Sequence, residues 1–266
     1  MNEIEIIIDK IKLGMQKSHR DTFKFTGSPA NRFGAEYLFT VNVAQAIGEI
    51  NSFGGEPYRI HIEARVKDVA LDCLPVIKKS SSGWIKNSTI FRHSQKKPTI
   101  GRDGRIDIAI YKEGDASLYC DHVPFCIIEL KSFNPPSNKI IEDLKRNTEL
   151  LRASGPTGDS SLQAGIFSAA HQINKFYDDK KLKESIASIK SKYSKHCSKL
   201  GNKNDLNIIL RHFELSNEIN GDVIHDMEES YIDRSTRHYF IGIIVIITLK
   251  KNNIHIKHSL DTDLRL

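Results

Sequence analysis

GRDGRIDIAIY (residues 101–111) and FCIIELKSF (residues 125–133) alternate apolar and charged residues in the manner of two β-strands. Successive side chains of a strand point to opposite faces of its sheet. Asp107 therefore points away from the isoleucines beside it, and Glu129 and Lys131 share one face. The residues between the two stretches favour a turn. If the strands pair as a hairpin, the three charged side chains meet at one point.

The two acidic residues of this cluster, Asp107 and Glu129, require a positive partner, because close carboxylates repel each other unless a cation sits between them. Carboxylate oxygens suit Mg²⁺, which keeps bound water and takes substrate phosphate oxygens. A lysine such as Lys131 steadies the attacking water and the charge that develops on phosphorus. The cluster predicts a phosphodiester hydrolase site with Mg²⁺ as cofactor, or Mn²⁺ as its substitute.

The pattern Asp107…Glu129-x-Lys131, on neighbouring strands and before a helix, resembles the PD-(D/E)xK nuclease superfamily. The resemblance covers roughly residues 31–171, and Ile106 stands where the proline of the family name would be. It implies a restriction-endonuclease-like sheet flanked by helices. It also implies that Asp107 and Glu129 are catalytic metal ligands and that Lys131 is the catalytic lysine.

Many members of this superfamily also use a glutamate from the first core helix. Glu36 is the best match in this sequence, and Glu49 and Glu63 are its rivals. The family resemblance favours DNA as the substrate, whereas the residues themselves do not distinguish DNA from RNA. A restriction enzyme or an anti-phage effector fits a solitary nuclease of this size by analogy.

Basic residues around the cluster predict contacts with nucleic-acid phosphates. The net charge of +6 and the pI of about 9.0 favour a polyanionic partner. The candidates are Arg92, His93, Lys97, Arg102, Arg105, Lys145 and Arg146. Each of them taken singly is more often a plain surface residue. As a group they predict a basic rim around an acidic centre.

The pattern along the 266 residues predicts a single α/β domain with a mixed central β-sheet flanked by helices. Its core spans about residues 31–171 and 206–259, with a helical insertion over 172–200. Helices are expected over residues 4–15, 33–50, 68–77, 137–153 and 173–200, with a polar stretch over 17–31. Further strands are expected over residues 59–66, 84–93, 162–170, 207–215, 239–249 and 254–258. The core is expected to include Ile108, Ile110, Ile128, Leu130 and the strand over 239–249.

The composition argues against several other classes of protein. The longest apolar run, residues 239–249, is shorter than the ~20 residues of a membrane helix. The N-terminus carries acids before its apolar residues, which is the wrong order for a secretory signal. None of the four cysteines forms a CxxC pair. We therefore expect a cytoplasmic protein with reduced thiols and no membrane partner.

Three alternatives stay open from the sequence. Glu129 and Lys131 can form an ordinary solvent-facing ion pair. The chain can also be a non-catalytic nucleic-acid-binding module, or an assembly factor that docks through its lysine-rich helix. If it cuts both strands of double-stranded DNA, a homodimer is expected, because a twofold dimer matches the symmetry of a duplex. An activating protein partner is compatible with each alternative.

Overall fold

The computed structural model describes residues 2–26, 35–51, 55, 57–74, 104–113, 122–155, 158–174, 178–216, 219, 221, 223–225, 230–233, 235–254, 256 and 264–265. The strands are β1 (Tyr58–Arg65), β2 (Arg105–Glu113), β3 (His122–Lys131), β4 (Ser154–Gly155), β5 (Gly158–Asp159), β6 (Ala164–Asn174), β7 (Leu206–Glu214), β8 (Val223–His225), β9 (Ser230–Ile232), β10 (His238–Leu249) and β11 (Leu264–Arg265). The helices are α1 (Glu3–Thr26), α2 (Ala35–Gly48), α3 (Val66–Asp72), α4 (Ser137–Leu151) and α5 (Asp179–Cys197).

Seven strands of the described chain form one mixed sheet in the order β1-β2-β3-β6-β10-β7-β11. Strands β3 and β6 run parallel, and the other neighbouring pairs are antiparallel. Parallel neighbours need a crossover connection, and α4 supplies it between β3 and β6. The remaining strands form two short hairpins, β4-β5 and β8-β9. The predicted α/β class, with a mixed sheet flanked by helices, is confirmed.

Apolar side chains cover both faces of this sheet. One face packs against α1 and α2, and the other packs against α3, α4 and α5. In β10, Ile243 belongs to the second face and Ile244 to the first, as a covered central strand requires. The core positions predicted from the two motif strands are fully buried: Ile108, Ile110, Ile128 and Leu130. The predicted core and the central strand over residues 239–249 are therefore confirmed.

Helix α1 is longer than predicted and includes most of the stretch expected to be polar and irregular. Ser18 and Thr22 are buried, and each hydroxyl donates to a backbone carbonyl one turn earlier in the helix. The polar residues therefore fit inside the helix, which is why the polar composition was misleading. The helix crosses α2 closely at Gly14, where a Cβ atom would lie 2.5 Å from the Cα atom of Val43.

Helix α2 confirms the helix predicted over residues 33–50, but its buried face differs from the apolar stripe that the sequence predicts, which is Tyr37, Val41, Ala44 and Ile47. Tyr37 is exposed. Phe39, Val43 and Ile47 are fully buried, because this face of α2 packs in the cluster shared with α1 and the sheet.

The sequence of strand β1 predicts that Ile60, Ile62, Ala64 and Val66 share one face of the sheet, but this alternation breaks at Glu63. This residue has a φ of 55°, in the left-handed region that non-glycine residues seldom adopt. Ile60 packs on the face covered by α1 and α2, whereas Ala64 and Val66 pack on the opposite face. Ile62, between them, is exposed. The left-handed residue thus moves the side chains that follow it to the other face of the sheet.

Two predicted boundaries near the C-terminal half are wrong. Strand β6 continues to Asn174, and α5 begins only after Asp178, whose side chain accepts the N–H of Lys181 as an N-cap. The described residues Ile254 and Ile256 lie outside regular structure. A left-handed residue precedes them, and β11 pairs with β7 at the sheet edge instead. The strand expected over residues 84–93 lies outside the described part of the chain.

Of the helices that the structure describes, none has the length and apolar character needed to cross a bilayer.

Candidate functional site

A concave pocket of about 740 Å³ opens between β2, β3 and the beginnings of α2 and α4. Charged side chains supply most of its wall: Glu36, Arg105, Asp107, Glu129, Lys131, Lys139, Glu142, Asp143 and Arg146. The structure thus brings the four residues expected to be catalytic, Glu36, Asp107, Glu129 and Lys131, to one place.

Asp107 lies just beyond the last pair of the β2–β3 ladder, Ile108 opposite Ile128, and the register of this ladder shifts once, between Ile110 and Tyr111. Its neighbours Ile106 and Ile108 pack on opposite faces of the sheet, rather than on one face as expected. Beyond the last pair, the Asp107 carboxylate, rather than a backbone carbonyl, accepts the N–H of Leu130, with an N–O distance of 2.6 Å. This contact fixes Asp107 at the strand ends, next to the residues on either side of Leu130.

The Lys131 ammonium group lies among carboxylates. It donates to Glu36 Oε1 at 2.8 Å and lies 3.9 Å from Asp107 Oδ2 and 3.4 Å from Asp143 Oδ2. Burial acts to lower the pKa of Lys131, but the charges of Asp107, Asp143 and Glu36 outweigh it and raise the pKa above its ordinary value. Lys131 therefore carries a stable positive charge in the pocket.

Glu129 is fully buried, and its two carboxylate oxygens differ in their partners. Oε1 accepts from Arg146, at 2.9 Å from Nε and 2.7 Å from Nη2. Oε2 is buried and has no hydrogen-bond partner among the described residues. Burial, followed by the charge of Asp107, raises the pKa of Glu129 well above its usual range, although Arg146 opposes this shift.

The pKa of Asp107 is raised as well. Burial raises its pKa from 3.8 to about 6, against the opposing effects of Lys131 and the Leu130 N–H. The charges of Glu36 and Glu63 add to the rise. Both predicted metal ligands are therefore easier to protonate than ordinary carboxylates, chiefly because they are buried away from water.

The carboxyl groups at the centre of the pocket, here called the inner cluster together with their cations, outnumber those cations. Four carboxyl groups, those of Glu36, Asp107, Glu129 and Asp143, face two cations, Lys131 and Arg146, which gives −4 + 2 = −2 when all are ionised. Oxygen donors, a buried unpaired Glu129 oxygen and a net negative charge fit a divalent cation held by Asp107 and Glu129. Within the described residues, however, no three acidic, histidine or cysteine side chains converge in the arrangement of a preformed metal site.

The predicted phosphate ligands have different positions. Arg105 is exposed and lines the pocket, whereas Lys145 is exposed outside it. Arg146 lies in the pocket but pairs with Glu129 and Asp143, so it faces carboxylates rather than solvent. The other four candidates lie outside the described residues: Arg92, His93, Lys97 and Arg102.

The structure distinguishes the three candidate glutamates. Glu36 hydrogen-bonds Lys131, 95 residues away in the sequence. Glu49 pairs with Lys10 of α1 and is not part of the pocket wall. Glu63 does not line the pocket either, but it is near enough to raise the pKa of Asp107. Glu36 is therefore the glutamate that the fold brings to the cluster.

Asp143 is the site residue that sequence reasoning missed. It is buried on α4, hydrogen-bonds Arg146 Nη2 at 2.7 Å and approaches Lys131. The available signal was the i,i+3 spacing of Asp143 and Arg146 in the helix that follows the motif, because residues three apart meet on one helix face.

From the sequence, His93 and His171 are conceivable general bases, but His171 does not line the pocket. Its ring nitrogens lie 3.1 Å from Asn134 Oδ1 and 2.9 Å from the Tyr193 hydroxyl. Burial, followed by the charge of Lys192, lowers its pKa to about 4. It is a buried, hydrogen-bonded histidine of β6.

Comparison with known proteins gives no match to a family model, to a curated protein or to a solved structure.

Proposed function

We propose that this protein is a metal-dependent nuclease of the PD-(D/E)xK type, which hydrolyses phosphodiester bonds in DNA with Mg²⁺ or Mn²⁺. The observation that carries the proposal is the convergence of Asp107, Glu129 and Lys131 with Glu36 in one pocket. These residues come from β2, β3 and α2. If Glu129 and Lys131 were only a solvent-facing ion pair, this convergence would not be needed. A buried carboxylate with an unpaired oxygen would not be needed either.

Each residue has a defined part in this reaction. Asp107 and Glu129 would hold the metal, which supplies Lewis acidity and a more acidic water when bound. Lys131 holds a positive charge beside the carboxylates, where it steadies an attacking water and offsets charge on the phosphoryl group. Glu36 fixes the Lys131 ammonium by a 2.8 Å hydrogen bond. Such partners of catalytic groups orient them and tune their charge.

Positive charge at the pocket rim supports a nucleic acid as the substrate, and the family resemblance favours DNA. Arg105 and Lys139 line the pocket and are exposed, so they are available to phosphates. The net charge of +6 favours a polyanion over an acidic small molecule. Double-stranded DNA in the cytoplasm is the proposed substrate, in the setting of restriction or anti-phage defence.

The test is incubation of the purified protein with plasmid, linear double-stranded DNA, single-stranded DNA and RNA, each with Mg²⁺, Mn²⁺ or EDTA. Cleavage of DNA that EDTA abolishes is the expected result. Glu129→Gln removes a proposed metal ligand, and Glu149→Gln, exposed on α4 and outside the pocket wall, is its matched control. Equal cleavage by the wild type and the Glu129→Gln variant would contradict the proposal.

A homodimer is the proposed active form for double-strand breaks, since one active site cuts one strand. Light scattering of the protein bound to a short DNA duplex is expected to give the mass of two chains plus that of the duplex. A strict monomer that cuts both strands in one encounter would contradict this assembly.

One observation favours a second candidate, a nucleic-acid-binding module without catalysis. Arg146 already pairs with Glu129 and Asp143, so the acidic cluster is partly satisfied without a metal. In that case the wild type would bind DNA, cleave no nucleic acid with either metal, and bind equally well in EDTA. Adding cell extract from the source organism to the cleavage assay distinguishes this candidate from a nuclease that requires an activating protein.

A further inference from the structure

Arg146 occupies an unusual position for a basic residue next to a proposed nuclease site. Its guanidinium contacts Glu129 Oε1 at 2.7 Å and Asp143 Oδ1 at 2.7 Å, and its side chain is only 13% exposed. A hypothetical Cβ atom on Gly104 would lie 3.5 Å from its Nη1 atom, so the chain just before β2 also borders it. Arg146 is therefore an internal cation between two buried carboxylates rather than a free phosphate ligand.

The carboxylates are not fully satisfied by this cation. Glu129 Oε2 and Asp143 Oδ2 are both buried without a hydrogen bond, although Lys131 lies 3.4 Å from the Asp143 oxygen. A buried carboxylate oxygen without a donor costs free energy. The free oxygen of Glu129 belongs to a fully buried residue that lines the pocket, which is an independent sign that the acidic cluster is shaped for a ligand with positive charge.

The charge balance of this inner cluster gives the type of ligand. With all four carboxyl groups ionised, it stands at −2 with Arg146 in place, as counted above, and would stand at −3 without the arginine. A single divalent ion that replaces Arg146 brings the sum to −3 + 2 = −1 and supplies ligand positions for several oxygens at once. A guanidinium donates in one plane, so it satisfies the Oε1 and Oδ1 atoms and leaves the other oxygen of each residue.

We infer that Arg146 is an internal surrogate cation that a divalent metal ion displaces from Glu129 and Asp143, and that Asp143 is a third carboxylate ligand of the metal-bound site. The inference rests on the metal dependence in the proposed function. It agrees with the absence of a preformed metal group among the described residues, because the arginine occupies the oxygens of Glu129 and Asp143 that the metal would take. Binding of the metal and release of Arg146 from Glu129 and Asp143 are then a single exchange of one cation for another.

If Arg146 competes with the metal, its removal raises the affinity for metal. Removal of a residue that supports the metal site would lower that affinity instead. Metal affinity is measured by calorimetric titration with Mn²⁺ and Ca²⁺ in the absence of nucleic acid. Arg146→Met is expected to bind Mn²⁺ about tenfold more tightly than the wild type, since a competing interaction is lost. Without metal its melting temperature is expected to fall, and Mn²⁺ is expected to raise it more than it raises that of the wild type.

Two further variants complete the series. Arg146→Met/Asp143→Asn is expected to lose the gain in affinity, because the third ligand is gone. Lys183→Met, an exposed lysine of α5 outside the pocket wall, is expected to match the wild type. If Arg146→Met does not fold, Arg146→Lys replaces it, because a single ammonium group cannot hold both carboxylates as the planar guanidinium does, and the expected sign is the same.

Several results would overturn the inference. Mn²⁺ affinity that is equal or weaker in the Arg146 variants would show that the arginine supports the metal site instead of competing with it. An unchanged affinity in the double variant relative to Arg146→Met would remove Asp143 from the ligand set. A crystal structure of the wild type with Mn²⁺ in which Arg146 still contacts Glu129 would also overturn the exchange. These measurements use no DNA, so a failure of the exchange is distinguishable from a failure of the nuclease proposal, which the cleavage assay tests.

Discussion

The Lys131 ammonium group donates a 2.8 Å hydrogen bond to Glu36 Oε1, across 95 residues of sequence. The contact joins the end of β3 to the start of α2 and places a half-exposed glutamate against a largely buried lysine. Because the same ammonium also faces Asp107 and Asp143, Glu36 decides which way the lysine points within a ring of carboxylates.

Glu36→Gln is expected to reduce DNA cleavage about 10- to 100-fold, because it removes the charged partner that orients Lys131. Stability should change little, since a half-exposed ion pair contributes at most about 1 kcal/mol. Initial cleavage rates and melting temperatures check both points. Glu49→Gln, which replaces the surface partner of Lys10, is the matched control. If Glu49→Gln loses more activity than Glu36→Gln, then Glu36 does not belong to the site.

Lys131→Met is expected to lower the cleavage rate about 10²- to 10³-fold, since it removes a preorganised positive charge next to the reacting phosphate. It should also lower stability by about 3 kcal/mol in the absence of metal, because several carboxylates lose their shared cation. Urea unfolding and cleavage assays measure the two effects. Lys183→Met, exposed on α5, should leave both unchanged. Wild-type cleavage by Lys131→Met would identify the Glu129-x-Lys131 pair as structural only.

The raised pKa of Asp107 makes stability depend on pH. Its pKa is about 6 in the folded protein and 3.8 ordinarily, so the folded state binds the proton more tightly. This contribution is therefore present at low pH and is lost as pH rises from about 4 through 6, by an amount on the order of 3 kcal/mol. Asp107→Asn should remove this decline, and the difference between the two urea-unfolding profiles isolates it. Parallel profiles would show that Asp107 titrates normally.

The close crossing of α1 and α2 gives a prediction about stability alone. Gly14→Ala improves helix propensity by about 1 kcal/mol, but its methyl group would lie 2.5 Å from the backbone of Val43. The clash should prevail and lower the free energy of unfolding by about 1–3 kcal/mol. At Gly48, near the end of α2, the nearest atom to a new Cβ is the flexible end of Ile60 at 3.7 Å. Gly48→Ala should therefore be neutral or slightly stabilising, and chemical denaturation of both variants tests the contrast.

The sequence alone predicted the elements whose signal is local. β2, β3 and β10 were predictable because side chains alternate with a period of two, or are apolar on both faces in a covered strand. The same alternation put Glu129 and Lys131 on one face. Where backbone geometry departs from the regular pattern, the prediction was wrong. The left-handed residue Glu63 sends Ala64 to the opposite face from Ile60, and no periodicity contains that information.

The tertiary structure decided the membership and electrostatics of the site. Glu36 and Glu49 lie close together in the sequence, yet only the packing of α2 against the sheet and α1 sends one to Lys131 and the other to Lys10. Arg146 was expected at a basic rim and Asp143 was not expected in the site, whereas the crossover of α4 between two parallel strands turns both toward Glu129. Local periodicity determines which way a side chain points from its own element. Which charges share a buried pocket, and hence their pKa values, depends on contacts between distant parts of the chain.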